Sequence, residues 1–277
     1  MYKIALKAPH GKVCKTYTCS ENINTNIDIS NNINIDEWLY NTVLLNKIWT
    51  SELFYNDDPP DSMENIHSGG GHCKGIIVWN ETEVGWLIHT LPNWPETLLN
   101  PLSHAECEYG QSFIWITLPI NKLPTILKQL QIMHSHIYHD TSKIFIPLKH
   151  PSEDQLINLV ELDNNLYHIA KHDKWGKDLF EDGLVVDFPE STWKTETWGR
   201  PLQTSTTNVE RIHKVCWDDV AYYGYQDHSK WAVSDYNTSC VWIGDINAMT
   251  SQFHRGGGGL IIRDELLWKL FNEIISE

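Results

Sequence analysis

Two stretches of this chain, centred on residues 72 and 228, repeat one design, and that repetition limits the folds open to it. His72-Cys73-Lys74 runs into the apolar segment GIIVW, and His228-Ser229-Lys230 runs into WAVS. Seventeen positions after each histidine, a polar residue stands inside the next apolar segment: His89 in the first copy and Asp245 in the second. Both copies then pass through a glycine-bearing turn into a further apolar strand, YGQSFIWI (109–116) and RGGGGLII (255–262). A degenerate duplication of this kind builds two halves of like construction. The expected boundary lies near 148–154, which gives halves of approximately 1–150 and 151–277 within one domain, 1–277.

His-x-Lys alone says little. With 14 histidines and 17 lysines in 277 residues, chance supplies about one such tripeptide, and the chain has four. His10/Lys12 follows a proline near the terminus, and His172/Lys174 sits in AKHDKWGKD, which reads as a solvated turn or helix start. Only the pairs at 72/74 and 228/230 enter recognisable strands, where residues i and i+2 share a face. An imidazole can attack phosphorus or move a proton near neutral pH, and a neighbouring ammonium holds a phosphate oxygen. Two such pairs facing one phosphodiester supply a nucleophile, a general acid and two cationic clamps without calling for a metal or other cofactor. Gly70, Gly71, Gly256 and Gly257, the first pair extended by Gly69, are candidate phosphate contacts, and Gln111 beside Gly110 is another. His134, His136 and His139 are spaced like metal ligands but have no paired carboxylate nearby; they read as a solvated helix end.

Charge argues for an acidic setting. The formal net charge of −15 opposes a polyanionic partner at pH 7, yet protonating all 14 histidines brings the total to about −1. Thirteen tryptophans and 41% hydrophobic residues call for a packed core rather than disorder. No apolar run approaches the ~18 residues that span a bilayer, and MYKIALKAPHGK carries no apolar leader core, so no secretory signal is visible: either the chain stays inside the cell or a leader has been removed. Six cysteines lack Cys-x-x-Cys spacing, which argues against a structural zinc and leaves disulfides open. The sequons at Asn80 and Asn237 lie close in sequence to the candidate site and matter only in a secretory compartment.

Periodicity gives mixed α/β elements. Strands are expected at YKIAL, LFYN, GIIVW, GWLIHTLP, QSFIWITLP, KIFIPL, VWIGDI and GGGGLII. Helices are expected over Trp38–Trp49, Asn121–Met133, from Pro151-Ser-Glu-Asp into QLINLVEL, and from Asp264 to the C-terminus. The Asn/Ile/Asp-rich stretch 21–36 reads as a loop.

The blocks LFYNDDPP, HCKGIIVW, GWLIHTLPNWP, SHAECEYGQ, DLFEDGL, TETWGRP, DHSKWAVS and IGDINAMTSQFHRGGG, in this order, resemble those of the deoxyribonuclease II family over nearly the whole chain. That family is similar in fold to the phospholipase D superfamily, which implies two pseudo-symmetric α/β halves with the active site between them. The resemblance implies a metal-independent endonuclease of acid pH that acts on DNA without sequence preference, leaves 3′-phosphate and 5′-hydroxyl ends, and works in a lysosomal or secreted setting. It places His72, Lys74, His228 and Lys230 in the paired motifs. His89 matches a further family histidine, and Asp245 with Asn247 matches the Gly-Asp-x-Asn block. Asp235 fits the superfamily spacing His-x-Lys-x4-Asp, whereas that spacing in the first half falls on Trp79. A phosphodiesterase for another substrate, such as a phospholipase, and a silent DNA-binding or toxin homologue are the competing readings.

Overall fold

A computed structural model of the chain describes residues 1–20, 26–63, 70–189, 191–199 and 206–276. The first half supplies β1 (Tyr2–Lys7), β2 (Val13–Cys19), β3 (Asp28–Asn34), β4 (Ser51–Asn56), β5 (Lys74–Trp79), β6 (Glu83–His89), β7 (Gln111–Pro119) and β8 (Ile137–Asp140). They form one sheet in the order β3–β2–β1–β7–β6–β5–β4–β8. The second half adds β9 (Ile157–Asp163), β10 (Leu166–Lys171), β11 (Trp193–Glu196), β12 (Val209–Arg211), β13 (Lys214–Trp217), β14 (Val220–Tyr223), β15 (Trp231–Ser234), β16 (Cys240–Gly244), β17 (Gly257–Arg263) and β18 (Ile275–Ser276). Seven of these make a second sheet, β12–β11–β15–β16–β17–β10–β9, and β14–β13–β18 make a small third one. The run β1–β7–β6–β5–β4 in the first sheet has its counterpart in β10–β17–β16–β15–β11 in the second.

Alternation along the strands explains the layering. In β5, Ile77 and Trp79 point to a core shared by both sheets, which also takes Trp86, Ile114, Trp231, Ile243 and Leu260. Ile76 and Val78 point the other way, into a cluster under α1 (Ile35–Leu39) with Phe54, Leu87 and Phe113. Trp242, Ile261 and Ile169 do the same on the outer face of the second sheet, near the short α3 (Val185–Asp187). With both faces covered, these strands read as continuous apolar runs. Helix α2 (Leu123–Ile132) lays Leu123, Ile126 and Leu130 on the shared core. The C-terminal α4 (Glu265–Glu273) contributes Leu267 and Phe271, while Leu266 stays exposed. Asp264 caps α4 as expected, accepting from the main-chain N–H of Leu266 and Leu267 at 3.0 Å.

Four expected elements differ. The helix expected over Trp38–Trp49 starts earlier, as α1 at Ile35, and ends in a π-helical turn over Tyr40–Leu44, so Trp49 lies beyond it. Residues 28–34 of the polar stretch form the edge strand β3, because pairing with β2 satisfies its backbone while its Asn and Asp side chains face water; residues 21–25 lie outside the described residues. The Ser152/Gln155 capping box forms, but the turn stops at Gln155 and QLINLVEL continues as β9. There Leu162 and Val160 reach the shared core and Ile157 and Leu159 the outer cluster, a two-sided use that one helical stripe cannot provide. KIFIPL forms no strand; Ile146 is exposed and its carbonyl accepts from Gln131 Nε2 at 2.6 Å. No helix among the described residues is long and apolar enough to cross a membrane, and no disulfide joins the six cysteines.

Candidate active site

Neither histidine of the two paired motifs lies inside a strand. Each stands just before one: β5 begins at Lys74, and β15 begins one residue after Lys230. What fixes them is the opposite half. Gly71 bridges Gly256 in parallel, and the His72 N–H donates to the Gly256 carbonyl at 2.7 Å. Reciprocally, Asp227 bridges Gly110, and the His228 N–H donates to the Gly110 carbonyl at 2.9 Å. Each His-x-Lys segment is thus anchored on the glycine turn that opens the central strand of the other sheet, β17 or β7.

His72 is half-buried and donates through Nδ1 to the main-chain carbonyl of Asp245 at 2.8 Å. That bond puts the proton on Nδ1 and leaves a lone pair on Nε2. Burial, then the Lys74 charge, lower its pKa to about 3 against the pull of Asp57, with Lys230 adding to the depression. His228 lies flat against Tyr109, ring centroids 4.1 Å apart and 6° from parallel, with Trp198 edge-on at 5.1 Å. Its pKa is likewise lowered to about 3, by burial, then Lys230, then Lys74. Each lysine's charge is therefore felt by the histidine of the other half.

Lys74 is buried and ion-paired with Asp57, whose other oxygen accepts from Arg255 Nη2 at 2.9 Å. Burial alone would raise the Asp57 carboxyl, but Lys74, with His72 and Arg255 behind it, holds it well below the usual range. Lys230 is buried and donates through Nζ to the His228 carbonyl at 2.8 Å. Burial and the Lys74 charge bring it down to about 7. Asp245 accepts from the Gly258 N–H at 3.0 Å through one oxygen, and its other, Oδ2, is buried with no hydrogen-bond partner among the described residues. Burial raises this carboxyl to about 7 despite the Gly258 bond and the two lysines.

The remaining candidates divide. His89 ends β6 at 1% exposure, edge-on to Trp94 at 4.9 Å, with neither ring nitrogen hydrogen-bonded, and Lys74 is close enough to depress its pKa further after burial. Asn247 follows Asp245, buried, with its Oδ1 unpartnered. Asp235 does not join the group. It lies at the far end of β15 from Lys230 and closes a turn, accepting from Thr192 and Asn237 N–H. Gln111 is buried and accepts from Thr90 Oγ1 at 2.5 Å.

The glycines have a packing reason of their own. A Cβ on Gly71 or Gly256 would stand 2.3 or 2.0 Å from the Met133 carbonyl oxygen, Gly257 sits at the start of β17, and Gly70 has φ +103°. Gly69 lies outside the described residues, as do Arg200 and Pro201 of the TETWGRP block. Asn80 and Asn237, adjacent to the motifs in sequence, lie beyond the far ends of β5 and β15 and away from the site.

The histidines of 134–139 separate. His139 stacks on Phe54 and bonds Glu52 at 2.9 Å, whereas His134 meets Asp173 at 3.2 Å. His172, expected in a solvated turn, is buried beside Asp173. His134, His172 and Asp173 gather potential ligand atoms within 4.8 Å. However, the Nδ1 lone pair of His172 already accepts from the Lys174 N–H at 3.1 Å, so the donor set suits a hydrogen-bonded turn better than a cation.

Four participants were missed in the sequence: Asp57, Arg255, Tyr109 and Trp198. All stand in family-like blocks (YNDDPP, HRGGG, EYGQ, TETW), and block position was the available signal. The centre can hold a phosphate between ammonium groups and offer it an unprotonated imidazole.

The profile of the deoxyribonuclease II family matches residues 16–277. Similar curated proteins include cell-death-related nuclease 7 of Caenorhabditis elegans, 28% identical over 86% of this chain and 70% of the relative. Plancitoxin-1 of Acanthaster planci is 30% identical over 82% of this chain and 70% of its own, and deoxyribonuclease-2-beta of Mus musculus is 28% identical over 81% and 70%.

Proposed function

Since the chain belongs to the deoxyribonuclease II family and is a DNA-hydrolysing nuclease, we propose that His72, Lys74, His228 and Lys230 form its single catalytic centre, set between two phospholipase D-like, pseudo-symmetric halves of one domain. The reciprocal bonds His72 N–H to Gly256 and His228 N–H to Gly110 carry this reading, because they bring both motifs to one seam.

In the proposed mechanism, the His72 Nε2 lone pair attacks phosphorus and the P–O5′ bond breaks. The departing oxygen takes a proton from the His228 imidazolium. Water then attacks the phosphohistidine, its proton returns to His228, the P–N bond breaks, and a 3′-phosphate leaves. Lys74 and Lys230 hold the non-bridging oxygens as charge builds, which is why the reaction is expected to run in a chelator. Nδ1–H donation to the Asp245 carbonyl supports His72 as the nucleophile, a choice on which the sequence is symmetric.

Both imidazoles have pKa values near 3 without substrate, so His228 must gain its proton with the DNA. The phosphodiester anion offsets the lysine charges and raises that pKa, so binding takes up a proton and weakens as pH rises. Above pH 7 the Asp245 carboxyl ionises and the Lys230 ammonium is lost; both changes repel or release phosphate. The site therefore favours acid.

The test is plasmid nicking in EDTA at pH 5 and pH 7.5. Wild type should nick faster at pH 5, and His72→Ala and His228→Ala should each lose at least about a thousandfold in rate. A fully active His72→Ala would end the assignment, and DNA retention without nicking by wild type would mark a silent binding homologue.

A further inference from the structure

Two buried lysines outside the proposed chemistry stand behind the two glycine turns. Lys7 ends β1 opposite Gln111 at the start of β7, and Lys171 ends β10 opposite Gly257 at the start of β17. They occupy equivalent places in the two sheets. Each ammonium is enclosed by main-chain carbonyl oxygens. Lys7 Nζ donates to Ala8 at 2.9 Å, Gly11 at 3.2 Å, Cys107 at 3.1 Å and Tyr109 at 2.6 Å. Lys171 Nζ donates to Lys177 at 3.2 Å and to Gln252 and Phe253 at 2.9 Å. Neither forms an ion pair among the described residues. Lys171 also stands 5.9 Å from the Trp175 ring centroid, and Asp178 and Asp227 act on Lys171 and Lys7 from beyond ion-pair distance. An ammonium is costly to bury, so a site that bonds one only to carbonyls has a use for the charge.

The bonded segments lead directly to the site. Tyr109, held by Lys7, stacks on the His228 ring, and the next residue, Gly110, accepts the His228 N–H. Gln252 and Phe253, held by Lys171, begin the loop whose Arg255 donates to the carbonyls of Gly70 and Gly71 at 2.9 and 3.1 Å and whose Gly256 accepts the His72 N–H. Both chains of contacts cross the seam.

We propose that Lys7 and Lys171 are positioning residues that act crosswise: Lys7 of the first half sets His228, and Lys171 of the second half sets His72. The proposal rests on the site reading above, since it gives the two lysines a purpose in terms of those histidines. Removing an ammonium leaves several carbonyl dipoles facing one another, and the loop they belong to turns outward. The cost then falls on the imidazole of the other half. Misplacement of a reacting group by ~1 Å costs roughly a hundredfold in rate, so Lys7→Met and Lys171→Met should each lower kcat by about 10- to 100-fold with a much smaller change in KM.

The deciding readout does not use catalysis. In DNA-free protein, acylation by diethylpyrocarbonate is followed at each histidine by peptide mapping. Lys7→Met should change the rate at His228 by at least about threefold and leave His72 unchanged, and Lys171→Met should do the reverse. Should either Met variant fail to fold, Lys7→Arg and Lys171→Arg, whose planar guanidinium keeps the charge but misfits the carbonyl cage, are read the same way. Equal changes at both histidines, or none, would overturn the proposal. A crossed labelling pattern alongside full nicking by His72→Ala would instead leave the wiring standing and remove the catalytic reading.

Discussion

Asp245 shows how much one carboxyl can do in this centre. Its main-chain carbonyl sets the His72 tautomer, and its side chain, buried and bonded to Gly258, has a pKa raised from 3.8 to about 7. Between those values the folded protein keeps a proton that the unfolded chain has released, so this group's contribution falls as pH rises from about 4 to 7 and then levels off. Asp245→Asn has no such dependence. Relative to wild type it should gain on the order of 2 kcal/mol in urea-unfolding stability between pH 5 and pH 8, while nicking at pH 5 stays within about threefold. A stability difference that is flat with pH would refute the raised carboxyl. At this scale the four motif residues and Asp245, which the sequence offers as candidates, are neighbours in the fold. The sequence was opaque for Asp57, whose second partner Arg255 lies 198 residues away, and for Lys7 and Lys171, which are held by carbonyls that no side-chain pattern encodes. Asp235 shows the converse: correct spacing, but a strand that carries it away from Lys230.

Among the described glycines, Gly256 in the turn before β17 has the closest approach. The Cβ of Gly256→Ala would meet the Met133 carbonyl at 2.0 Å, backbone against backbone, with no rotamer to relieve it. That variant should lose about 2–4 kcal/mol of stability and most of its nicking, since the same residue anchors His72. Gly11→Ala meets nothing within 4 Å and should stay within about 0.5 kcal/mol of wild type; equal losses in the two would discredit the seam. Periodicity found the buried strands and α2 because their alternation is imposed by two covered faces. It misread β9 and β3, where apolar residues are used on both faces or hardly at all and pairing with a neighbour decides the conformation.

At the scale of the whole molecule, a chain with 14 histidines keeps several of them neutral by burial. His72, His89, His168 and His228 all have lowered pKa values, burial being the leading cause in each. Below the unfolded value of ~6.5 the unfolded chain takes up protons that the native state refuses, so stability is complete above that pH and falls toward pH 3. The fully buried His168, near 3 and packed on Trp86, contributes on the order of 2 kcal/mol to the loss at pH 5. The buried rings therefore pull the urea midpoint down from pH 7 to pH 5 against the opposite pull of Asp245, so His168→Gln should lose less stability than wild type over that range; an equal loss in the two would contradict the buried neutral ring.

The position of β17 matters in one more setting. It lies between β16 and β10 in the second sheet, yet it is made after both of them in the chain. During translation, the strands made before it wait in two separate groups, with no partner between them, until residues 257–263 leave the ribosome. A premature stop codon between β16 and this strand therefore yields a sheet missing an inner strand, a product for quality-control proteases rather than a shortened enzyme.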